Sequence, residues 1–362
     1  MHILTLSLPD NFFVASTYKR ILEYISKRAL SYADLHMNEP IVKIEAYDRT
    51  NNNSTKSKTL TTAAGKKYRF DEVVVTCPLG WLKRNKSAFE PELPPHLIKA
   101  IDSISYGRLE KIYVTFPEAF WHHPTATTTT TTTMNGNGNE EDQDVNKAPS
   151  NTTETASSSS SSFQFLEPEY IQRPEGIKFW NQECLSLASL HPKNCAHPTL
   201  LFYTHGPCST YIVQKLTSPT TTSNSSKDDD YKTLNTFLEP FYSRLPGYNP
   251  TSSKCKPIAF LATQWQKDPY AGNGSYCNFQ IGLENGDKCI EIMRNGIGIE
   301  RGVWFAGEHT APFVSLGTTS GAYWSGERCS ARICEFYGLG RVGIGVGRDD
   351  SLPSGLGLNG IS

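Results

Sequence analysis

Residues 303–333, VWFAGEHTAPFVSLGTTSGAYWSGERCSARI, decide how this chain is read. They open on a short apolar run, Val303-Trp304-Phe305-Ala306, of the kind that forms a buried strand in a parallel sheet. Gly307 ends the run, and Glu308 falls at the carboxyl end of that strand, where open α/β sheets bind ligands. After a loop, Gly317-Thr318-Thr319-Ser320 leads into a segment of helical character, residues 321–333. Ala322, Ser325, Gly326, Cys329 and Ser330 fall close to one side of it, so the helix can lie tight against another backbone. Its free amide groups and positive dipole end face whatever lies beside Thr318 and Thr319. A strand closed by a carboxylate and a helix aimed amino end first suit a large anionic or reducible cofactor. Spacing alone leaves an equal alternative, an ordinary strand–loop–helix capped by Ser320.

Composition narrows the classes. At 362 residues the chain is long enough for two domains and a sizeable core. A formal net charge of -1 leaves no basic footprint for nucleic acid. No apolar run approaches the roughly 20 residues of a spanning helix, and the start, MHILTLSLPDNFF, lacks the charged region and cleavage site of a signal peptide. Nine cysteines are scattered without C-x-x-C pairs, and an odd number cannot all pair. A reduced, intracellular, cytoplasmic protein without zinc or a disulfide framework is expected. The final Gly-Ile-Ser is no peroxisomal address.

The F-A-G-E-H-T run at 305–310, a loop, and G-T-T-S-G-A-Y-x-S-G-E-R from Gly317 resemble the closing FAD-binding segment of the flavin amine oxidases. That family includes polyamine oxidases, monoamine oxidases and lysine-specific histone demethylases, and the likeness points to a polyamine-oxidase-like branch of fungal type. The resemblance implies that Glu308 hydrogen-bonds the sugar or ribityl hydroxyls of FAD. It implies that Thr318 and Thr319 present backbone N–H groups to the flavin's pyrimidine edge. The helix dipole would stabilise negative charge on the reduced ring.

Earlier in the chain, residues 11–30 read as a helix led by Phe12, Val14, Tyr18, Ile21, Leu22 and Ile25. Residues 33–47 are strand-like, with Pro40 at the entry. Asn38, Ile41 and Ile44 resemble the family's N-x-x-(V/I)-x-x-I pattern beside the adenine, which implies backbone contact at Ile41; a plain sheet strand fits equally. Residues 51–64 are a loop by composition, and 71–76 a buried β-branched burst. The T-x-P-L-G-x-L-K pattern at 76–83 resembles the family's turn out of the FAD domain near the cofactor, with Pro78 and Gly80 making the turn.

Residues 91–119 read as a helix and then a strand, Ile112-Tyr113-Val114-Thr115-Phe116, with Lys111 at its mouth. Read alone, such a lysine is a solvated surface group. R-L-E-K-I-Y-V-T-F followed by P-E-x-F-W resembles the family segment that points a lysine at flavin N5 through a water. The resemblance implies that Lys111 positions that water and favours electron transfer to oxygen with its positive charge.

Residues 125–162 and 218–230 are low-complexity polar inserts, too poor in apolar surface to offset their ordering entropy, and are expected to be disordered. His122-His123 read as exposed rather than as metal ligands. Residues 177–190 and 199–206 read as sheet, 258–264 as a strand, and 231–245 as a helix kinked or ended by Pro240. The W-x-x-D-P-(Y/W)…G-S-Y pattern from Trp265 again resembles the family. It implies that Trp265 and Tyr270 lie at the flavin and that Tyr276 walls an aromatic slot for the amine. Without the resemblance these are rim aromatics of a sheet. Ser275 stands where monoamine oxidases carry the flavin-bonding cysteine, so FAD is expected to be noncovalent. Thr318 replaces their second cage tyrosine, so the slot is expected to be open. The glycine-rich tail, 338–362, has no strand–turn–helix context for its G-x-G pairs and is expected to be disordered.

The family's opening βαβ unit with G-x-G-x-x-G has no counterpart in these residues, so a gene model truncated at its start, or a remnant with exposed sheet edges, is expected. The fold class is α/β and α+β. An incomplete FAD-binding dinucleotide-type domain (11–82 and 296–337) would stand beside a substrate domain with a mixed β-sheet and flanking helices (83–295). The function implied is FAD-dependent oxidation of a polyamine-like amine to imine and aldehyde, with O2 reduced to H2O2. Lys111, Tyr276 and Thr318 would face the chemistry, while Ile41, Pro78, Trp265, Tyr270, Glu308, Thr318 and Thr319 would hold the cofactor. The alternatives are a non-catalytic remnant or interaction protein and, ranked lower, a histone-lysine demethylase. The partners implied are a small-molecule amine and O2, with no nucleic acid and no membrane; no motif speaks to oligomeric state.

Overall fold

The computed structural model describes residues 18–49, 57–122, 162–165, 183–190, 195–217 and 224–339. The expected disorder of 125–161, 218–223 and 340–362 lies outside the described residues, as does the start of the first expected helix, 11–17. The chain divides into two compact units, Met1–Met37 with Gly107–Ser275, and Asn38–Tyr106 with Tyr276–Ser362.

In chain order, α1 (Tyr18–Leu30) belongs to the first unit. The second unit then supplies β1 (Ile41–Glu45), β2 (Lys58–Thr62), β3 (Lys67–Phe70) and β4 (Val73–Val75). It continues with α2 (Leu79–Arg84), β5 (Phe89–Glu90), α3 (Pro95–Ser103) and β6 (Ser105–Tyr106). The first unit resumes with β7 (Leu109–Thr115), β8 (Ser162–Gln164), β9 (Glu183–Ser186) and β10 (Thr199–His205). It ends with α4 (Gly206–Lys215), α5 (Asn224–Tyr242) and β11 (Ala259–Ala262). The second unit closes with β12 (Cys277–Asn278), α6 (Gly286–Asn295), α7 (Gly298–Arg301), β13 (Val303–Phe305) and α8 (Thr319–Phe336).

The first unit is built on a five-stranded sheet in the order β11-β7-β10-β9-β8. Its described pairings are all antiparallel, where a mixed sheet is expected from the sequence. Antiparallel neighbours need no crossover helix, so β7 can take β10 and β11 on its two sides directly. Along β7 the period is two: Glu110, Ile112 and Val114 are buried, whereas Leu109, Lys111, Tyr113 and Thr115 are half-buried on the other face. Ile112, Val114 and Phe202 of the sheet join Ile212 of α4 and Leu238 and Phe241 of α5 in one core. Each such side chain contributes about 2 kcal/mol on burial. Pro240 does not break α5, which runs on for two more residues to Tyr242.

In the second unit β3-β2-β1-β5 form one sheet, with β1 parallel to β5. β4 and β13 form a separate parallel pair, Val303 opposite Val73 and Phe305 opposite Val75. Both strands leave this pair at the same end, into Cys77-Pro78 and Gly307-Glu308, and the Ala306 N–H still donates to the Val75 carbonyl at 3.1 Å. Val73, Val75, Val303 and Phe305 join Leu97 and Ile101 of α3 and Ile290 and Met293 of α6 in a second core.

Four expectations need correction. Residues 58–62, read as part of a loop, form β2, because Thr59, Thr61 and Thr62 are β-branched and the strand pairs with both β1 and β3. Residues 224–230, read as disordered insert, open α5, where Asp230 accepts the Thr217 N–H (2.8 Å) and hydroxyl (2.6 Å). Gly80 lies inside α2 rather than in a turn, and only Pro78 precedes the helix, its carbonyl accepting the Trp81 N–H at 2.9 Å. His122 is half-buried, its Nε2 lying 3.2 Å from both Ser186 Oγ and Ser189 Oγ. Among the described residues no helix is long and apolar enough to cross a membrane.

Candidate active site

The carboxyl ends of β4 and β13 set the starting geometry. Gly307 adopts φ +145°, and a Cβ there would lie 2.7 Å from His309 Cε1, so the turn after β13 requires glycine. Its N–H donates to Ser325 Oγ at 2.8 Å, which pins α8 to the strand end. Glu308 follows, half-buried. Its Oε1 accepts the Cys277 N–H (3.1 Å), while its Oε2 accepts the Gly317 N–H (3.1 Å) and the Cys277 thiol (2.6 Å). One carboxylate therefore ties β12, the end of β13 and the turn before α8 together. Burial pushes the Glu308 carboxyl above its ordinary range, and these three donors pull the other way.

The cap of α8 is Thr318 rather than Ser320, its Oγ1 accepting the Gly321 N–H at 2.9 Å. Thr318, Thr319 and Ser320 are exposed, and the Thr318 N–H donates to the Ser315 carbonyl at 3.3 Å. A Cβ on Gly321 would sit 2.0 Å from the Ser315 carbonyl oxygen, so the 311–316 loop lies directly against the first turn. Gly321, Ser325 and Cys329 are the buried residues of α8, Cys329 in one cluster with Trp304 and Ala306. Gly326 and Ser330, expected on the same side, are exposed, because the buried stripe is narrower than the run of small residues.

Tyr276 stands beside this turn. A Cβ on Gly317 would lie 2.9 Å from Tyr276 Cδ2, so the ring edge rests on the glycine. Burial, with the nearby Glu308 charge, pushes the Tyr276 phenol up. The second unit thus brings Tyr276, Glu308, Thr318 and Thr319 together, with Pro78 at the same end of the parallel pair. Ile41 belongs to a different sheet, opening β1 of the four-stranded one opposite Thr62.

The remaining candidates belong to the first unit. Lys111 lies within β7 rather than before it, half-buried, with Nζ 5.7 Å from the ring centre of its cross-strand neighbour Tyr203. Trp265 and Tyr270 are exposed on the turn after β11. Asp268 Oδ1 shapes that turn by accepting the Tyr270 N–H at 2.8 Å. The Ser275 hydroxyl accepts the Leu109 N–H at 3.1 Å. Among the described residues no cluster of His, Cys, Asp or Glu could hold a metal ion.

Two organising residues escape a sequence reading. Glu110 is 2% exposed and gathers the turn that carries Trp265. The strand alternation signals it, since it takes the face opposite Lys111. Cys277 grips Glu308, and nothing in the sequence singles it out.

Comparison with known proteins gives the family. The chain is 23% identical over 327 residues to Lysine-specific histone demethylase 1 homolog 3 of Arabidopsis thaliana, covering 89% of this chain and 16% of that protein. It is 37% identical over 266 residues to Lysine-specific histone demethylase 1 homolog 1 of Oryza sativa subsp. japonica, covering 74% of this chain and 24% of that protein. It is 33% identical over 104 residues to Probable polyamine oxidase 4 of Arabidopsis thaliana, covering 29% of this chain and 19% of that protein. Putrescine oxidase bound to putrescine shares the fold, with a TM-score of 0.51 at 14% identity over 86% of this chain and 51% of that one. The chain thus spans about half of that structure and a smaller share of these relatives. The family model described as flavin containing amine oxidoreductase matches residues 9–173 and 241–334, and the chain belongs to that family.

Proposed function

We propose that this chain takes part in FAD-dependent oxidation of an amine, with the second unit holding the cofactor noncovalently and the first contributing to substrate binding. The observation that carries this reading is the Glu308 carboxylate held beside the open amino end of α8 and the ring of Tyr276. These residues fit FAD. A carboxylate has about four acceptor positions, and the described residues occupy three of them, which leaves one on Oε1 for a ribityl or sugar hydroxyl. The exposed first turn of α8 at Thr318 and Thr319 suits the electron-rich pyrimidine edge, with the Thr318 N–H shared with the Ser315 carbonyl, to which it donates at 3.3 Å. Pro78 would lie near the cofactor, Ile41 beside its adenine, and Trp265 and Tyr270 against its ring system.

When bound, FAD supplies a two-electron acceptor for a hydride from the amine α-carbon, and O2 regenerates it with release of hydrogen peroxide. The Tyr276 face binds the apolar body of the amine and tolerates its residual cationic charge. Thr318, small and exposed, leaves the opposite wall open to a long polyamine-like chain. Lys111 holds the water that serves oxygen reduction and supplies a positive charge there. Ser275 offers no thiol for a covalent flavin link, and its hydroxyl already accepts a backbone N–H.

The identity to the rice demethylase homologue over 74% of the chain favours a second substrate, a methylated lysine side chain. One experiment separates the readings. The chain purified with added FAD is mixed anaerobically with spermidine or with a methyl-lysine peptide. A retained yellow chromophore that bleaches with spermidine and yields peroxide on admitting air supports the polyamine reading. Bleaching only with the peptide favours the demethylase, and a colourless product favours a non-catalytic chain.

A further inference from the structure

Glu308 is held by a single neighbour more than by any other. Cys277 reaches both carboxylate oxygens, its N–H to Oε1 and its thiol to Oε2, whereas Gly317 reaches Oε2 alone. A two-point grip fixes the rotation of a carboxylate, which a single donor does not. We infer that Cys277 is a positioning residue for the cofactor: by clamping both oxygens of Glu308 it keeps the remaining acceptor position on Oε1 turned to a cofactor hydroxyl. The inference rests on the proposed reading of Glu308 as an FAD ligand.

The surroundings explain why a thiol can do this. Cys277 is 2% exposed and pairs across β12–β6 with Tyr106. Burial and the Glu308 charge push its thiol far up, so it stays an S–H donor at neutral pH and resists oxidation. Burial, Glu308 and Cys277 push the Tyr106 phenol up as well, so the neighbouring ring adds no competing negative charge. Without the thiol, a half-buried carboxylate keeps two donors instead of three and takes a proton more readily. A protonated Glu308 carries a donor of its own and has one acceptor position fewer.

Two measurements on the full chain test the clamp. In the FAD-free protein the infrared S–H stretch of Cys277, identified as the band lost in Cys277→Ser, should shift in Glu308→Ala; an unmoved band overturns the inference. In FAD titrations followed by the visible spectrum, Cys277→Ala should weaken binding about tenfold, the loss of one hydrogen bond to a charged group. Cys277→Ser should stay within about threefold of the parent, because the hydroxyl still donates. In a Glu308→Ala background, Cys277→Ala should add almost nothing. An equal tenfold loss in both backgrounds, or a Cys277→Ser as weak as Cys277→Ala, overturns this inference alone. A parent chain that binds no FAD overturns the reading of Glu308 and this inference with it.

Discussion

Trp265 donates its backbone N–H to Glu110 Oε2 at 3.1 Å across 155 positions of sequence, so the turn bearing the exposed indole is anchored to the buried face of β7. The same carboxylate accepts the Thr263 hydroxyl (2.6 Å), the Gln266 N–H (3.1 Å) and the Gln266 side-chain amide (3.3 Å). Glu110→Ala leaves four donors without their acceptor inside the protein and is expected to lower stability by about 3 kcal/mol. Glu110→Gln keeps one acceptor oxygen and should cost about half as much. Urea unfolding reads both, and a cost under about 1 kcal/mol for the alanine variant would show that the network carries little.

Two glycines of α8 should respond to alanine with opposite signs. Alanine at a solvated helical site is normally worth about 1 kcal/mol over glycine. Gly326 is exposed, with nothing within 4 Å of the place an alanine methyl would take, so Gly326→Ala should stabilise by about that amount. At Gly321 the methyl would meet the Ser315 carbonyl at 2.0 Å, so Gly321→Ala should destabilise by about 2 kcal/mol. Melting temperatures of the two variants compared with the parent decide it, and shifts in the same direction would contradict the packing.

His309 should make the chain acid-sensitive. It is 1% exposed, and neither ring nitrogen has a hydrogen-bond partner among the described residues. Burial lowers its pKa from 6.5 to about 4. The unfolded chain therefore binds the extra proton between those two values, so the contribution is complete above about pH 6.5 and is lost progressively as pH falls toward 4. Over that window the loss amounts to about 3 kcal/mol. His309→Gln should flatten the limb, and comparison of the two stability–pH curves cancels Glu308 and the other carboxylates. Parallel curves would remove the assignment.

Lys111→Met tests the oxygen half of the proposed chemistry. Flavin content and anaerobic bleaching by amine should be kept, while reoxidation in air slows on the order of a hundredfold. Unchanged oxygen kinetics, measured by stopped-flow absorbance, would return Lys111 to the ordinary role of a strand lysine beside Tyr203.

Much of the frame can be read along the chain because it depends on local pattern. The apolar Val303-Trp304-Phe305 run, the valine burst at 73–75 and the small residues after Thr318 each declare an element by period and composition alone. Polar sequence misleads where partners supply the stability: Lys58-Thr59-Leu60-Thr61-Thr62 looks like loop, yet becomes a strand between two others. Residues 224–230 look like an unstructured insert, yet they open a helix that continues into the core-facing Leu234, Phe237, Leu238 and Phe241.

By itself the sequence determined the family motifs and the identity of the groups available, from Glu308 and Tyr276 to Lys111. Only the tertiary structure decided which of them share a site and what holds them there. Glu308 is gripped by Cys277 and Gly317, and Tyr276 rests on Gly317, while Ile41 stands in another sheet. The physical reason is that hydrogen bonds to a half-buried carboxylate, and contacts a methyl group would exclude, depend on distances of a few ångströms between segments far apart in the chain. Periodicity records only which face a residue takes, not which residue meets it.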